Sequence, residues 1–173
     1  LVRADSPTFG NPSAPVHIVA FFDPACGTCR ACYPLVKALM LANPDKIRLS
    51  LRYAPFHPGS QDVVKVLDAS RKQGKFEATL EALFASQDTW VQNHRANLQL
   101  VGPALAPLGM DLERLQLDAT APEVANIISR DLQDAKTMNV TMTPEYFVNG
   151  KPLPQFGFAE LQGLVNEALA NAK

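Results

Sequence analysis

The sequence predicts an α/β protein interrupted by a long all-helical insertion, and three observations carry that prediction. An apolar strand at 16–22 runs into a helix and is followed by a second strand at 47–53. A hairpin signal around position 150 precedes an amphipathic C-terminal helix. Between these two parts lie several helical stripes with no convincing strand among them.

The first element, Val16-His17-Ile18-Val19-Ala20-Phe21-Phe22, is nearly continuously apolar, the pattern of a central strand buried on both faces. Asp23-Pro24-Ala25 breaks it. Leu35, Val36, Leu39 and Met40 then recur at helical spacing as far as about Ala42, where Asn43-Pro44-Asp45 stops the helix. Cys26-Gly27-Thr28-Cys29 therefore opens a helix directly after a strand. Ile47 to Tyr53 alternates with period two, and strand, helix, strand within ~40 residues makes a βαβ unit with a right-handed crossover.

The middle of the chain shows helical stripes at Val63, Val64 and Leu67, at Phe76, Leu80, Leu83 and Phe84, and at Leu112 and Leu115. Residues 59–133 are expected to form the insertion, with 1–58 and 134–173 as the domain it interrupts. Thr120-Ala121-Pro122-Glu123 reads as a capping box for a helix whose apolar face is Val124, Ile127, Ile128, Leu132 and Ala135, running to about Met138. Glu145-Tyr146-Phe147-Val148, Asn149-Gly150 and Lys151-Pro152-Leu153 make the hairpin, since Asn-Gly supplies the positive φ angles of a tight turn. Leu161, Leu164, Val165, Ala168 and Leu169 form the stripe of the last helix. Lys and Arg side chains read as solvated faces. Trp90 and the phenylalanines read as packing residues, with Phe56 and Tyr33 as candidates to line a binding groove.

At 173 residues the chain can bury a core without disulfide staples. It is 47% hydrophobic, 19% charged and has a formal net charge of -1, so no polyanion-binding surface is expected and nucleic acid is not a predicted partner. No apolar run approaches the roughly 20 residues needed to span a bilayer. The chain begins Leu1-Val2-Arg3, without an initiator Met, which leads us to expect that a signal peptide or membrane anchor has been removed.

All three cysteines lie between positions 26 and 32, a clustering that points to redox chemistry or metal binding more than to structural bridging. Thiol-disulfide exchange needs an exposed thiolate of lowered pKa, and the free amides and macrodipole at a helix N-terminus favour that anion. Cys26 is the expected nucleophile. Cys29, one turn inward, is the expected resolving thiol. The same spacing is half of a zinc site, but the chain supplies the other ligands poorly. Thr143-Pro144, taken alone, is an ordinary loop dipeptide with a trans bond.

Phe21-Phe22-Asp23-Pro24-Ala25-Cys26-Gly27-Thr28-Cys29 together with Thr143-Pro144-Glu145-Tyr146-Phe147-Val148-Asn149-Gly150 resembles the DsbA-like family of bacterial thiol-disulfide oxidoreductases, and the resemblance covers most of the chain. It implies a thioredoxin-like fold carrying an all-helical insertion. It also implies a cis-proline loop at Thr143-Pro144 packed against the CxxC, where the Thr143 backbone pairs with an extended substrate segment. Gly27 and Thr28 join Thr143 and Pro144 as expected substrate contacts. The implied partners are proteins with thiols or disulfides and a membrane redox partner, the compartment is the periplasm or another extracytoplasmic space, and no cofactor is needed beyond the redox-active Cys26-Cys29 disulfide.

Two departures from the family pattern matter. Ala20 stands six positions before Cys26, where many thioredoxin-fold redox proteins carry a buried acid, so assisted deprotonation of Cys29 by that route is absent. Gly-Thr replaces the Pro-His of strong oxidases, so a weaker oxidant is expected. Gly27 and Thr143 resemble the isomerase and reductase branch, yet the residues before Val16 are too few for the separate dimerisation domain of those isomerases. The direction of electron flow stays open.

Cys32 lies three residues after Cys29 on nearly the same helical face and reads as a small buried side chain, a second disulfide partner for Cys29, or a soft-metal ligand. Among His17, His57 and His94, only His57, in Pro55-Phe56-His57-Pro58-Gly59, is placed to approach the active end; otherwise it is a solvated loop residue. Two rival functions follow. One is a copper- or iron-sulfur-binding protein using Cys26, Cys29 and Cys32, with Met138 or Met142 adding a thioether. The other is a non-catalytic chaperone on the same fold.

Overall fold

A computed structural model of the protein describes residues 1–172. The apolar run at Val16–Phe22 forms the central strand, with every residue buried. In chain order the elements are β1 (Thr8–Phe9), β2 (Val16–Phe22), α1 (Gly27–Ala42), β3 (Ile47–Tyr53), α2 (Ser60–Ala69), α3 (Phe76–Ala85), α4 (Gln87–Trp90), β4 (Val91–Gln92), β5 (Arg95–Ala96), α5 (Gly102–Leu105), α6 (Leu112–Ala119), α7 (Pro122–Thr137), β6 (Glu145–Val148), β7 (Lys151–Pro152) and α8 (Phe158–Asn171). Short 3-10 turns at Ser70–Gln73, Leu98–Leu100 and Ala106–Leu108 join the helices of the insertion.

The main sheet has the order β1-β3-β2-β6-β7. Strands β2 and β3 pair in parallel, with Val16 opposite Ile47 and Phe22 opposite Tyr53. Strand β6 runs antiparallel to β2, which brings Tyr146 opposite Ala20. Side chains alternate across the sheet, so the two faces build two cores. Ile18, Ala20, Phe22, Leu49, Leu51, Tyr53 and Tyr146 face α1, α8 and the insertion. Val19, Phe21 and Phe147 face the other way, against Ala135 and Val140.

The buried stripe of α1 is Cys29, Cys32, Val36 and Leu39, so it begins at the cysteines themselves. Leu35, expected in that stripe, is exposed. Leu112 is exposed as well, because it is the first residue of α6 after the Asp111 cap, while Leu115 one turn on is buried. The insertion is not all-helical: β4 and β5 form a hairpin with Asn93 and His94 both at positive φ. Two-residue strands carry too little alternation to register in the sequence, and the same holds for β1.

The expected capping box is not formed. Thr120 is in helical conformation and its hydroxyl donates to the Leu117 carbonyl at 2.8 Å, closing the end of α6. The extended residue before α7 is Ala121, with no side-chain cap, and Pro122 at the first helical position has no N–H to satisfy. Helix α7 then runs without a break through position 133, its first half packing in the core of the insertion and Ala135 under the sheet.

One cation contradicts the reading of Lys and Arg as solvated. Arg52 is fully buried, because α7 covers the outer face of β3. Its guanidinium pairs with Asp131 and Asp134 and with the Leu1 carbonyl, and lies over the Phe21 ring at 5.2 Å. The other oxygen of Asp131 accepts the Tyr53 N–H at 3.0 Å.

Candidate active site

The site begins where β2 ends. Asp23 is fully buried, and its carbonyl accepts the Cys26 N–H at 3.0 Å while its carboxylate accepts the Ala25 N–H at 2.9 Å. This turn delivers Cys26 in extended conformation (φ -84°, ψ 125°) as the residue capping α1, with no side chain competing for the first free amides of the helix. Cys26, Cys29 and Cys32 are all free thiols.

The two motif thiols differ sharply in acidity. The Cys29 thiol, which donates to the Cys26 sulfur, is the largest cause holding Cys26 down at about 5. The Thr143 side chain and the backbone amides of Cys29 and Thr28 act in the same direction, against the opposing effect of burial. Cys29 is driven far upward, first by burial and then by its bond to Cys26. The Asp23 N–H lies 3.5 Å from the Cys29 sulfur.

The Thr143–Pro144 peptide bond is cis, and the Thr143 carbonyl accepts from the Cys26 thiol at 3.4 Å across 117 positions of sequence. Gly27 and Thr28 are exposed beside it, and a Cβ at Gly27 would meet nothing within 4 Å. A groove of about 430 Å³ runs from Thr28 along Met142, Thr143 and Pro144 to Leu153 and Phe156. Both Met142 and Phe156 are exposed on it.

Behind Cys29, Ala20 borders a cavity of about 20 Å³ that is also lined by Leu51, Pro144 and Tyr146. That volume matches one water molecule, but so apolar a lining offers few of the polar partners a buried water needs. Cys32 is buried one turn further on, beside the Tyr146 side chain, and burial raises its thiol pKa. Among the described residues no three of His, Cys, Asp and Glu are gathered so as to hold a metal ion. Of the two thioethers in the metal-binding alternative, Met138 packs on the opposite face of the sheet from the cysteines and Met142 is exposed on the groove beside Thr143.

His57 is not a free loop residue. Its ring Nδ1 lies 2.7 Å from the Asp23 carboxylate, its backbone N–H donates to the same oxygen at 3.0 Å, and its ring stacks on His94. Ser60 donates its hydroxyl to the other carboxylate oxygen. From the insertion, the buried Gln87 side chain donates to the carbonyls of Pro24 at 2.8 Å and Cys26 at 3.0 Å. Asp23 read in the sequence only as a strand breaker, although an Asp placed before Pro at the end of an apolar strand is a turn signal. Gln87 and Ser60 carry no sequence signal at all. Tyr33 lies in a separate groove between α1 and α3 with Arg30, Lys37 and Leu41, and Phe56 is exposed on the loop before His57.

The thioredoxin family profile matches residues 3–167. A thioredoxin-like oxidoreductase from Silicibacter pomeroyi DSS-3 superposes with a TM-score of 0.83 at 33% identity, over 96% of this chain and 93% of that one. BdbD from Bacillus subtilis (TM-score 0.81, 23% identity, 95% and 93% of the two chains) and alpha-DsbA1 from Wolbachia pipientis (0.81, 17%, 100% and 97%) share the fold. Among curated sequences, a Na(+)/H(+) antiporter NhaA from Herminiimonas arsenicoxydans is 30% identical over 144 residues, which are 83% of this chain and 22% of the antiporter. The chain thus spans about a fifth of the length of such relatives. No helix among the described residues is long and apolar enough to cross a membrane. With its profile match, its mixed sheet and its helical insertion, the chain belongs to the thioredoxin family and has a DsbA-like thioredoxin fold.

Proposed function

We propose that the protein exchanges disulfides with extracytoplasmic protein clients through Cys26 and Cys29. The observation that carries this reading is the divergence of the two thiols: one, 8% exposed, held near a pKa of 5 at the head of a helix, the other, 3% exposed, driven far upward one turn behind it. In the reductive direction the Cys26 thiolate attacks a client disulfide, forming a mixed disulfide and releasing one client thiolate. Cys29, on losing its proton, attacks the Cys26 sulfur. The Cys26–Cys29 disulfide forms, and the second client thiolate leaves with the two electrons. Oxidation is the same sequence reversed.

The Thr143 carbonyl, 3.4 Å from the Cys26 sulfur, is the acceptor for the backbone N–H of an extended client segment, and the adjoining groove holds its side chains. Residues 1–58 and 134–173 carry the redox centre, with 59–133 as the insertion over it. A membrane redox partner in the periplasm or an equivalent compartment restores the starting state, and the pair needs no cofactor.

The redox equilibrium with glutathione and the reduction of insulin by wild type and Cys26→Ser test the assignment. Insulin reduction is lost in Cys26→Ser; activity indifferent to that substitution would reject the reading. Alkylation of Cys26 rises through about pH 5 and levels off above it, since the reactive species is the thiolate. The reduction potential assigns direction: a value near the ~-120 mV of strong oxidants marks an oxidase, and one well below it an isomerase or reductase.

A further inference from the structure

The amides of the redox turn are satisfied from within the turn, but the Pro24 carbonyl is satisfied from outside it. The Cys26 and Ala25 N–H groups both end on Asp23. The Pro24 carbonyl is taken by the side-chain amide of Gln87 at 2.8 Å, and the same amide donates at 3.0 Å to the Cys26 carbonyl, which also accepts the Arg30 N–H of α1 at 3.1 Å. Gln87 is the first residue of α4, belongs to the insertion, and is 5% exposed. An amide nitrogen carries two hydrogens, so both bonds are made at once and both carbonyls are fixed relative to α4.

We propose that Gln87 is a positioning residue of the redox centre, holding the Pro24–Cys26 segment so that the first amides of α1 stay aimed at the Cys26 sulfur. This rests on the reading of Cys26 and Cys29 as an exchanging pair. The amides concerned are those of Thr28 and Cys29, which stabilise the Cys26 thiolate. Without the Gln87 amide, the Pro24 carbonyl beside the buried thiolate loses its donor, the Cys26 carbonyl keeps only the Arg30 N–H, and the segment, freed from α4, turns to find another donor. The thiolate then loses alignment with its own donors. Only the reduced protein contains that thiolate, so the couple shifts toward the disulfide.

Gln87→Met keeps the length and volume of the side chain and removes the donor. Thiolate absorbance titration and equilibration with reduced and oxidised glutathione, both on the full chain, read the effect. Cys26 should titrate about one pH unit higher and the equilibrium should move about tenfold toward the disulfide. Gln87→Asn, whose amide is one methylene short, should move both quantities less and in the same direction. A variant with wild-type titration and wild-type equilibrium overturns the proposal even if its melting temperature falls, because that outcome describes packing alone. Should Gln87→Met fail to fold, Gln87→Asn is judged by the same two readouts. Wild-type protein that never equilibrates with glutathione overturns the exchange reading instead.

Discussion

Two fully buried charged side chains, Asp23 and Arg52, are satisfied in opposite ways. Arg52 on β3 is met by the carboxylates of Asp131 and Asp134 from α7, about eighty positions away in sequence. Asp23 is met by hydrogen-bond partners: the N–H groups of Ala25 and His57, the Ser60 hydroxyl and the half-buried His57 ring. Ion pairs tolerate broad geometry and bridge distant elements, so the Arg52 cluster fastens a helix to a sheet. Hydrogen bonds from fixed backbone and hydroxyl donors are directional, so the Asp23 cluster fixes the path of a turn. The thiolate depends on backbone amides held at set angles, and the directional cluster is the one beside it.

The largest effect should come from breaking the ion cluster. Arg52→Met removes the buried partner of Asp131, which keeps the Arg130 guanidinium at 3.1 Å and the Tyr53 N–H, so the loss should be about 3 kcal/mol, the lower end for breaking a buried pair. Urea unfolding of the reduced protein measures that loss, and the Cys26 titration should stay where it is. Acid probes the same cluster. The Asp134 carboxyl is held at about 2, first by Arg3 and then by Arg52. Its contribution is fully present above the ordinary carboxyl range and is lost as the pH falls toward about 2.

Asp23→Asn comes next. It keeps the shape but places an NH2 group against donors, leaving buried groups unpaired at about 2 kcal/mol. Here the Cys26 titration should move upward and the glutathione equilibrium should shift toward the disulfide. If Arg52→Met moves Cys26 as much as Asp23→Asn does, the division between a fastening cluster and a positioning cluster fails.

The legible parts of the molecule are those written as periodicity or as short-range chemistry. The continuous apolar run of β2, the alternation of β3 and the Asn149-Gly150 turn each follow from one local rule and stand where expected. So does the placement of Cys26 at the head of α1. What could not be read depends on which distant element covers a residue. Arg52 sits at an outward position of an alternating strand and is buried only because α7 brings two carboxylates onto it. Thr120 and Glu123 have the spacing of a cap, but the residue that must be extended turned out to be Ala121. Gln87 touches the redox turn only because the insertion folds back over it, and no pattern near position 87 encodes that return.

His57 provides the smallest and most discriminating change. Its backbone N–H to Asp23 survives any substitution, so His57→Phe removes only the ring bond at 2.7 Å and preserves a ring to stack on His94. The ring is partly exposed, so the loss is discounted for solvent, and unfolding should shift by less than about 1 kcal/mol. Asp23 keeps its Ala25, Ser60 and His57 backbone donors, the turn keeps its path, and the glutathione equilibrium should change by less than about twofold. A tenfold change would mean that the imidazole acts on the thiols directly. The Asp23 cluster would then carry protons as well as hold geometry, and its contrast with the Arg52 cluster would be one of chemistry and not only of shape.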